Sequence, residues 1–388
     1  MYQFYWRGIC AIHGEIMSHG TVPEQRLISL DVLRGMTIAA MIIVNNPGSW
    51  QHVYPPLLHA KWHGWTPTDL IFPFFLFVVG VSISLSLTRR KTQTNSRRPL
   101  YIKIVRRSLI LIGLGLFLSF FPRFDLAVLR IPGVLQRIGI CYLLAALLFL
   151  KSGWKARVGI TLGLLVGYWL AMKFVAVPGY GAGIWEYEGN LCGFLDTKLL
   201  GKHLYRPAFD PEGILSTLPA LATTLLGTLT GDWLRGDRKS SRTLTGLVGA
   251  GMVISAFGLW FHRFFPINKQ LWTSSFVLLT AGLALLCLAV CYAVIELAEH
   301  RKWAFPFRVL GTNAILVFVG SGVLARVLGL IKVPVGEEGI SVQTFIFRYL
   351  LEPWAGPLNG SLLFPLLHLV FWLAILIPLY RRQIYIKI

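Results

Sequence analysis

Between residues 45 and 69 the sequence gathers side chains suited to moving protons and acyl groups. Asn45 and Asn46 precede Pro47-Gly48, and the segment then runs Leu58-His59-Ala60-Lys61-Trp62-His63-Gly64-Trp65-Thr66-Pro67-Thr68-Asp69. A neutral imidazole near pH 7 takes a proton from an incoming amine or hydroxyl, and of the two later histidines His59 is the better candidate base. A loop histidine is also commonly a plain surface residue. An amide such as Asn45 can donate to a carbonyl oxygen that gains charge during acyl transfer, whereas Asn46-Pro47-Gly48 reads as a helix stop and turn. Thr66-Pro67-Thr68-Asp69 reads as a helix start, with Thr66 as cap and Pro67 at the first helical position. Asp69 is then either a partner for the helix dipole or the group that orients His59 or His63, and the residues leave both open. Trp62 and Trp65 lie in the same loop, where anchoring at a membrane interface accounts for both.

Two further clusters carry charge into apolar surroundings. Arg130-Ile131-Pro132-Gly133-Val134-Leu135-Gln136-Arg137 sets Gln136 and Arg137 one turn inside an apolar segment, where an ionisable side chain usually faces protein or water. Arg130, Gln136 and Arg137 are therefore candidate contacts for an anion or a carbonyl. Asp210-Pro211-Glu212-Gly213 opens another apolar segment, so Asp210 and Glu212 serve as candidate ligands or as plain helix caps. The stretch 89–107 holds eight basic residues, Arg89, Arg90, Arg106 and Arg107 among them, and no acid. It suits a phosphorylated ligand or anionic lipid headgroups, and membrane topology alone also accounts for it.

The elements that must hold these residues are membrane helices. Of 388 residues 55% are apolar and only 14% charged, with a net charge of +20; a soluble domain carries about a quarter charged residues. Nucleic-acid binding is excluded by the long Phe- and Trp-rich runs, which leave no solvated basic face. Ten segments qualify as spans: Leu33 to Val44, Leu70 to Thr88, Ser108 to Pro122, Ile138 to Leu150, Val158 to Met172, Gly213 to Gly231, Thr243 to Phe261, Gln270 to Ile295, Val309 to Ala325 and Pro353 to Tyr380. In a bilayer such segments must be helices. The expected fold is an all-α polytopic bundle of about ten transmembrane helices, and Ser341 to Leu351 leaves room for an eleventh, re-entrant or interfacial one. Basic residues crowd alternate connections, which places both termini in the cytoplasm by the positive-inside rule. Residues 1–25 read as a cytoplasmic amino-terminal segment and 26–388 as a single transmembrane domain. Five cysteines suggest neither a disulfide framework nor a metal site.

At this point a family resemblance enters. Arg26-Leu27-Ile28-Ser29-Leu30-Asp31-Val32-Leu33-Arg34-Gly35 resembles the opening motif of membrane acyltransferases, and His59-Ala60 through Trp62, Gly64, Thr66 and Asp69 resembles heparan-alpha-glucosaminide N-acetyltransferases and their bacterial homologues. The likeness continues through Phe72-Pro73, Arg130 to Arg137, Asp210 to Leu215 and Gly311-Thr312-Asn313-Ala314-Ile315-Leu316-Val317. The resemblance implies acetyl transfer from cytosolic acetyl-CoA to the amino group of a glucosamine at the far side of the membrane, with no metal. It implies His59 as the active-site histidine, Asn45 as the asparagine that closes the first span, and Asp69 as the nearby carboxylate. Trp62, His63, Trp65, Arg130, Gln136, Arg137, Asp210, Glu212 and Asn313 are the expected substrate-binding set, and Arg89, Arg90, Arg106 and Arg107 the expected contacts of CoA. The expected acceptor is glucosamine or a short glucosaminide, the expected host a bacterial inner membrane, and a homodimer is compatible with the sequence. The competing reading is an amino-sugar permease; such proteins commonly show inverted repeats and polar groups at mid-membrane, which this sequence does not clearly carry.

Overall fold

The computed structural model describes residues 27–388 except 94–97, 236–240, 336–338 and 387–388. The amino-terminal segment 1–25 therefore lies outside the described residues. The helices are α1 Ile28–Asn45, α2 Ile71–Gln93, α3 Arg98–Phe120, α4 Val134–Lys151, α5 Trp154–Phe174, α6 Leu191–Leu200, α7 Thr217–Leu234, α8 Ser241–Phe261, α9 Ser274–Tyr292, α10 Phe305–Thr312, α11 Ala314–Leu330 and α12 Pro357–Arg381. Between α11 and α12 lie a two-stranded antiparallel hairpin, Lys332–Val333 with Ile340–Ser341, and a short irregular helical segment over 342–355.

Among the described residues seven helices, α1, α2, α4, α5, α8, α9 and α12, are long and apolar enough to cross a membrane, and α10 with α11, bent by 83°, makes an eighth if the pair is one span. The expectation of about ten spans exceeds this number because it included α3 and α7. Both are helices where the sequence places spans, but α3 carries Lys103, Arg106 and Arg107 and α7 is rich in threonine and carries Asp232 in its last turn. A helix enclosed by protein has no need of a lipid-like surface; Ala220, Ala222, Thr223, Thr224, Leu225 and Thr228 of α7 are wholly buried.

Lipid tails are as apolar as leucine, so membrane helices are joined mainly by close backbone approach at small residues. A Cβ on Gly80 of α2 would stand 1.9 Å from the Thr224 carbonyl oxygen of α7, and one on Gly227 would stand 2.1 Å from the Phe77 oxygen. At the crossing of α1 with α10, a Cβ on Gly35 would fall 1.7 Å from the Phe307 oxygen and one on Gly311 2.0 Å from the Asp31 oxygen. Around α2 and α7 the core is filled by Phe72, Leu76, Ile83, Leu225, Trp272 and Phe276.

At one end of the bundle the connections bond to one another. Gly64 N–H donates to Ile267 O at 2.7 Å, Ile131 N–H to His203 O at 3.1 Å and Gly48 N–H to Ser361 O at 2.9 Å. Trp62 Nε1 donates to Trp185 O at 2.9 Å. These ties build a rim from loops that lie far apart in the sequence.

Candidate functional site

The loop that joins α1 to α2 ends in a 3-10 turn, Pro67–Leu70, which Asp69 closes by accepting the Thr66 backbone N–H on Oδ2 at 3.0 Å. The same oxygen accepts the Ala60 N–H at 3.0 Å. Its other oxygen, Oδ1, stands 2.7 Å from His59 Nδ1. Asp69 thus makes the capping contact through Oδ2 and the contact to His59 through Oδ1. With an acceptor-only carboxylate at Nδ1, the neutral ring carries its hydrogen there and leaves Nε2 as the basic atom. Asp69 is buried, while the His59 side chain keeps 46% of its surface exposed.

Lys269, from the loop before α9, completes this group. Its Nζ lies 3.0 Å from His59 Nδ1, 3.4 Å from Nε2 and 3.4 Å from Asp69 Oδ1. Burial pulls its ammonium below the usual lysine range, against the pull of Asp69 and Glu212. The sequence reading missed Lys269, because nothing in Ile267-Asn268-Lys269-Gln270 marks it and the chain brings it from 210 residues away.

Around this trio the expected substrate-binding residues divide. Trp62 packs edge-on against Tyr187 and Phe209, and His63 lies 3.6 Å from Glu186 and 3.3 Å from the Asn268 amide. Trp65 is exposed. Arg130, Asp210 and Glu212 bind one another: Arg130 Nε donates to Asp210 Oδ2 at 2.8 Å and Nη2 to Oδ1 at 2.6 Å, Glu212 takes a further bond from Nη2, and the guanidinium lies 4.6 Å from the Tyr205 ring centre. Buried Asp196 of α6 supports the cluster by accepting the Ile214 N–H at 2.9 Å and the Asp210 N–H at 3.3 Å, and burial pushes its carboxyl up to about 6. Gln136 donates to Ile131 O at 3.1 Å. Arg137 is buried over the Trp272 ring and donates through Nη2 to Gly213 O at 3.0 Å and Ser216 Oγ at 2.5 Å; its Nε and Nη1 find no hydrogen-bond partner among the described residues. Asn45, the exposed last residue of α1, makes no hydrogen bond to His59. Its buried neighbour Asn46 donates back to Ile42 O at 2.8 Å.

A cavity of about 320 Å³ opens elsewhere in the bundle, between α1, α2, α3, α4 and the α10–α11 bend. Its walls are apolar, with Phe75, Val79, Ile83, Leu111, Ile138 and Phe318, but Arg34, Lys103 and Arg107 also line it. The Arg107 guanidinium lies 4.8 Å from the Tyr142 ring centre. Arg34 donates to Ser82 Oγ at 2.7 Å and pairs with Asp31 at 3.1 Å. Of the expected CoA contacts, the structure brings Arg107 to this cavity; Arg106 is exposed beside it, and the side chains of Arg89 and Arg90 lie outside the described residues. Arg34 and Lys103 were not among the expected ones. Asn313, expected to bind substrate, occupies the α10–α11 bend among cavity residues, where its Oδ1 accepts the Ile386 N–H at 2.9 Å.

Comparison with known proteins adds an independent line. Residues 26–260 match a family model described as heparan-alpha-glucosaminide N-acetyltransferase, catalytic. Over 359 residues the chain is 32% identical to the heparan-alpha-glucosaminide N-acetyltransferase of Mus musculus, covering 77% of this chain and 54% of the relative. Over 358 residues it is 32% identical to that of Homo sapiens, covering 76% and 52%. The chain thus spans about half the length of the curated relatives it matches.

Proposed function

The chain belongs to the heparan-alpha-glucosaminide N-acetyltransferase family, and from that premise we propose that it is a transmembrane acetyltransferase that moves the acetyl group of acetyl-CoA to the amino group of glucosamine or a short glucosaminide. One observation carries the reading furthest: His59 Nδ1 is held on Asp69 at 2.7 Å, which leaves Nε2 on an exposed rim ready to accept a proton. In the proposed step the acceptor amine attacks the thioester carbonyl, a C–N bond forms, and Nε2 takes the proton the nitrogen sheds. The C–S bond then breaks, and the thiolate leaves with the proton His59 returns. Asp69 keeps the tautomer and steadies the imidazolium, and Asn45 supplies a donor to the developing oxyanion. Trp62, Trp65 and His63 flank the sugar.

The donor would enter the cavity from the cytoplasm, its phosphates meeting Lys103, Arg107 and Arg34 and its apolar arm following the walls toward the rim. This assigns the basic end to the cytoplasm, with both termini there, and the His59 rim to the outer face of a bacterial inner membrane. Arg137 faces the acid cluster inside the rim, a suitable carbonyl or hydroxyl contact through its unpartnered Nε and Nη1.

Purified protein in liposomes, given radiolabelled acetyl-CoA and glucosamine, is expected to yield acetyl-glucosamine, and His59→Ala to lower kcat by about 10²- to 10⁴-fold with its folded elution profile retained. Sugar flux without acetylation would establish the permease reading in its place. Full transfer by a folded His59→Ala protein would remove His59 from the chemistry while leaving the activity standing.

A further inference from the structure

Lys269 stands against the His59 ring in a way that hydrogen bonding does not explain. Nδ1 has one in-plane direction, and it points to Asp69 Oδ1 at 2.7 Å. A lysine head within 3.0 Å of Nδ1 and 3.4 Å of Nε2 is nearly equidistant from two nitrogens on either side of one carbon, so it lies over the ring and not in line with either lone pair. It ion-pairs there with Asp69 at 3.4 Å. The remaining charged groups around it are Glu212, which acts on Lys269 from the loop before α7 and is itself paired to Arg130 together with Asp210, and the His63–Glu186 pair at 3.6 Å on the flank. Among these, Lys269 is the cation in contact with the His59 ring.

We propose that Lys269 is a positioning residue that keeps His59 in its neutral, proton-accepting form by holding a positive charge over the imidazole. The inference rests on the acetyltransferase reading only for its kinetic arm. Asp69 alone favours the imidazolium, and an imidazole that is already protonated cannot serve as a base. A second cation within about 4 Å opposes that charging, so the Asp69 bond can fix the tautomer without disabling the base. The same charge disfavours an acceptor that arrives as an ammonium ion, which selects the free amine that the reaction consumes.

The sign follows directly. Removing the positive charge makes protonation of His59 easier, so the acid limb of kcat/KM moves to higher pH, by on the order of one unit for a lost contact charge. Lys269→Met and Lys269→Gln are therefore expected to lose about tenfold more activity at the acid end of the profile than at its plateau, and Lys269→Arg to keep the wild-type profile. A second readout needs no turnover: the pH at which His59 becomes reactive to diethyl pyrocarbonate, followed by peptide mass spectrometry, should rise by the same amount in the two neutral variants and stay put in Lys269→Arg. An unchanged pH dependence in a folded neutral variant, or an equal displacement in Lys269→Arg, would overturn the role of Lys269. Absence of acetyl transfer by the wild type would instead overturn the function, and the modification experiment would still decide the inference about Lys269.

Discussion

Asp69 does two jobs with two oxygens, and that division predicts what its loss should look like. Asp69→Asn offers Nδ1 an amide whose nitrogen or oxygen can face the ring, so the tautomer is no longer fixed and Nε2 is not reliably the basic atom. The expected outcome is a fall in kcat of at least about 100-fold with a much smaller change in KM, read from initial rates at saturating donor. Arg130 should behave differently. Its guanidinium is committed to Asp210 and Glu212, so Arg130→Met leaves two carboxylates without their cation; breaking such a partly exposed pair costs about 2 kcal/mol after discounting for solvent. A drop in the melting temperature exceeding the drop in kcat would mark Arg130 as a strut of the site, and the reverse would mark it as a substrate contact. The contrast between His59 and Lys269 shows where sequence reading reaches its limit. His59 and Asp69 are ten residues apart in one loop with recognisable turn chemistry, and their pairing is a local matter. Lys269 arrives through tertiary packing, when Gly64 bonds to Ile267, and no local pattern announces such a meeting.

At the scale of helices, apolar run length located the segments well, including α3 and α7, because burial in lipid or in protein selects for similar residues. It did not reveal that α10 and α11 meet at 83°, since Thr312 and Asn313 at the break are a short polar interruption that a continuous membrane helix also carries. Nor did it expose the glycine crossings, which depend on partner helices. Gly311→Val would press a branched side chain onto the Asp31 carbonyl at the α1 crossing and should destabilise the protein by at least about 1–3 kcal/mol, seen as a lowered unfolding temperature in detergent. Gly249, on the outer face of α8 with open space around it, serves as the control and should tolerate alanine. The short helix α6 carries its own test through pH. The Asp196 carboxyl is raised by burial to about 6, above its value of about 3.9 in an unfolded chain. The folded state therefore binds this proton more tightly, and the contribution is fully present below about pH 4 and is lost as pH rises through 6. Thermal unfolding followed from pH 4 to 7 should show this decline, and Asp196→Asn should flatten it.

For the molecule as a whole, the proposed topology assigns the net charge of +20 to orientation in the membrane. Under the proposed topology Trp50, exposed on the His59 rim, and Ser241, exposed at the start of α8, face opposite compartments. Trp50→Cys and Ser241→Cys should accordingly be labelled by a membrane-impermeant maleimide from opposite sides of sealed vesicles. Labelling of both from one side would break the topology. A last consequence comes from α2, which carries Asp69 just before its first turn and lines the cavity from Phe75 to Leu87. At about 1.5 Å per residue the helix measures off roughly 24 Å between Ile71 and Leu87, so under the proposed function it would serve as a ruler laid between the basic cavity residues and His59. Donors would then be selected by the reach of their arm as much as by the group they carry. An acetyl thioester cut back to N-acetylcysteamine should lose kcat as well as affinity, because the energy that seats the carbonyl beside His59 is gathered at the ruler's far end.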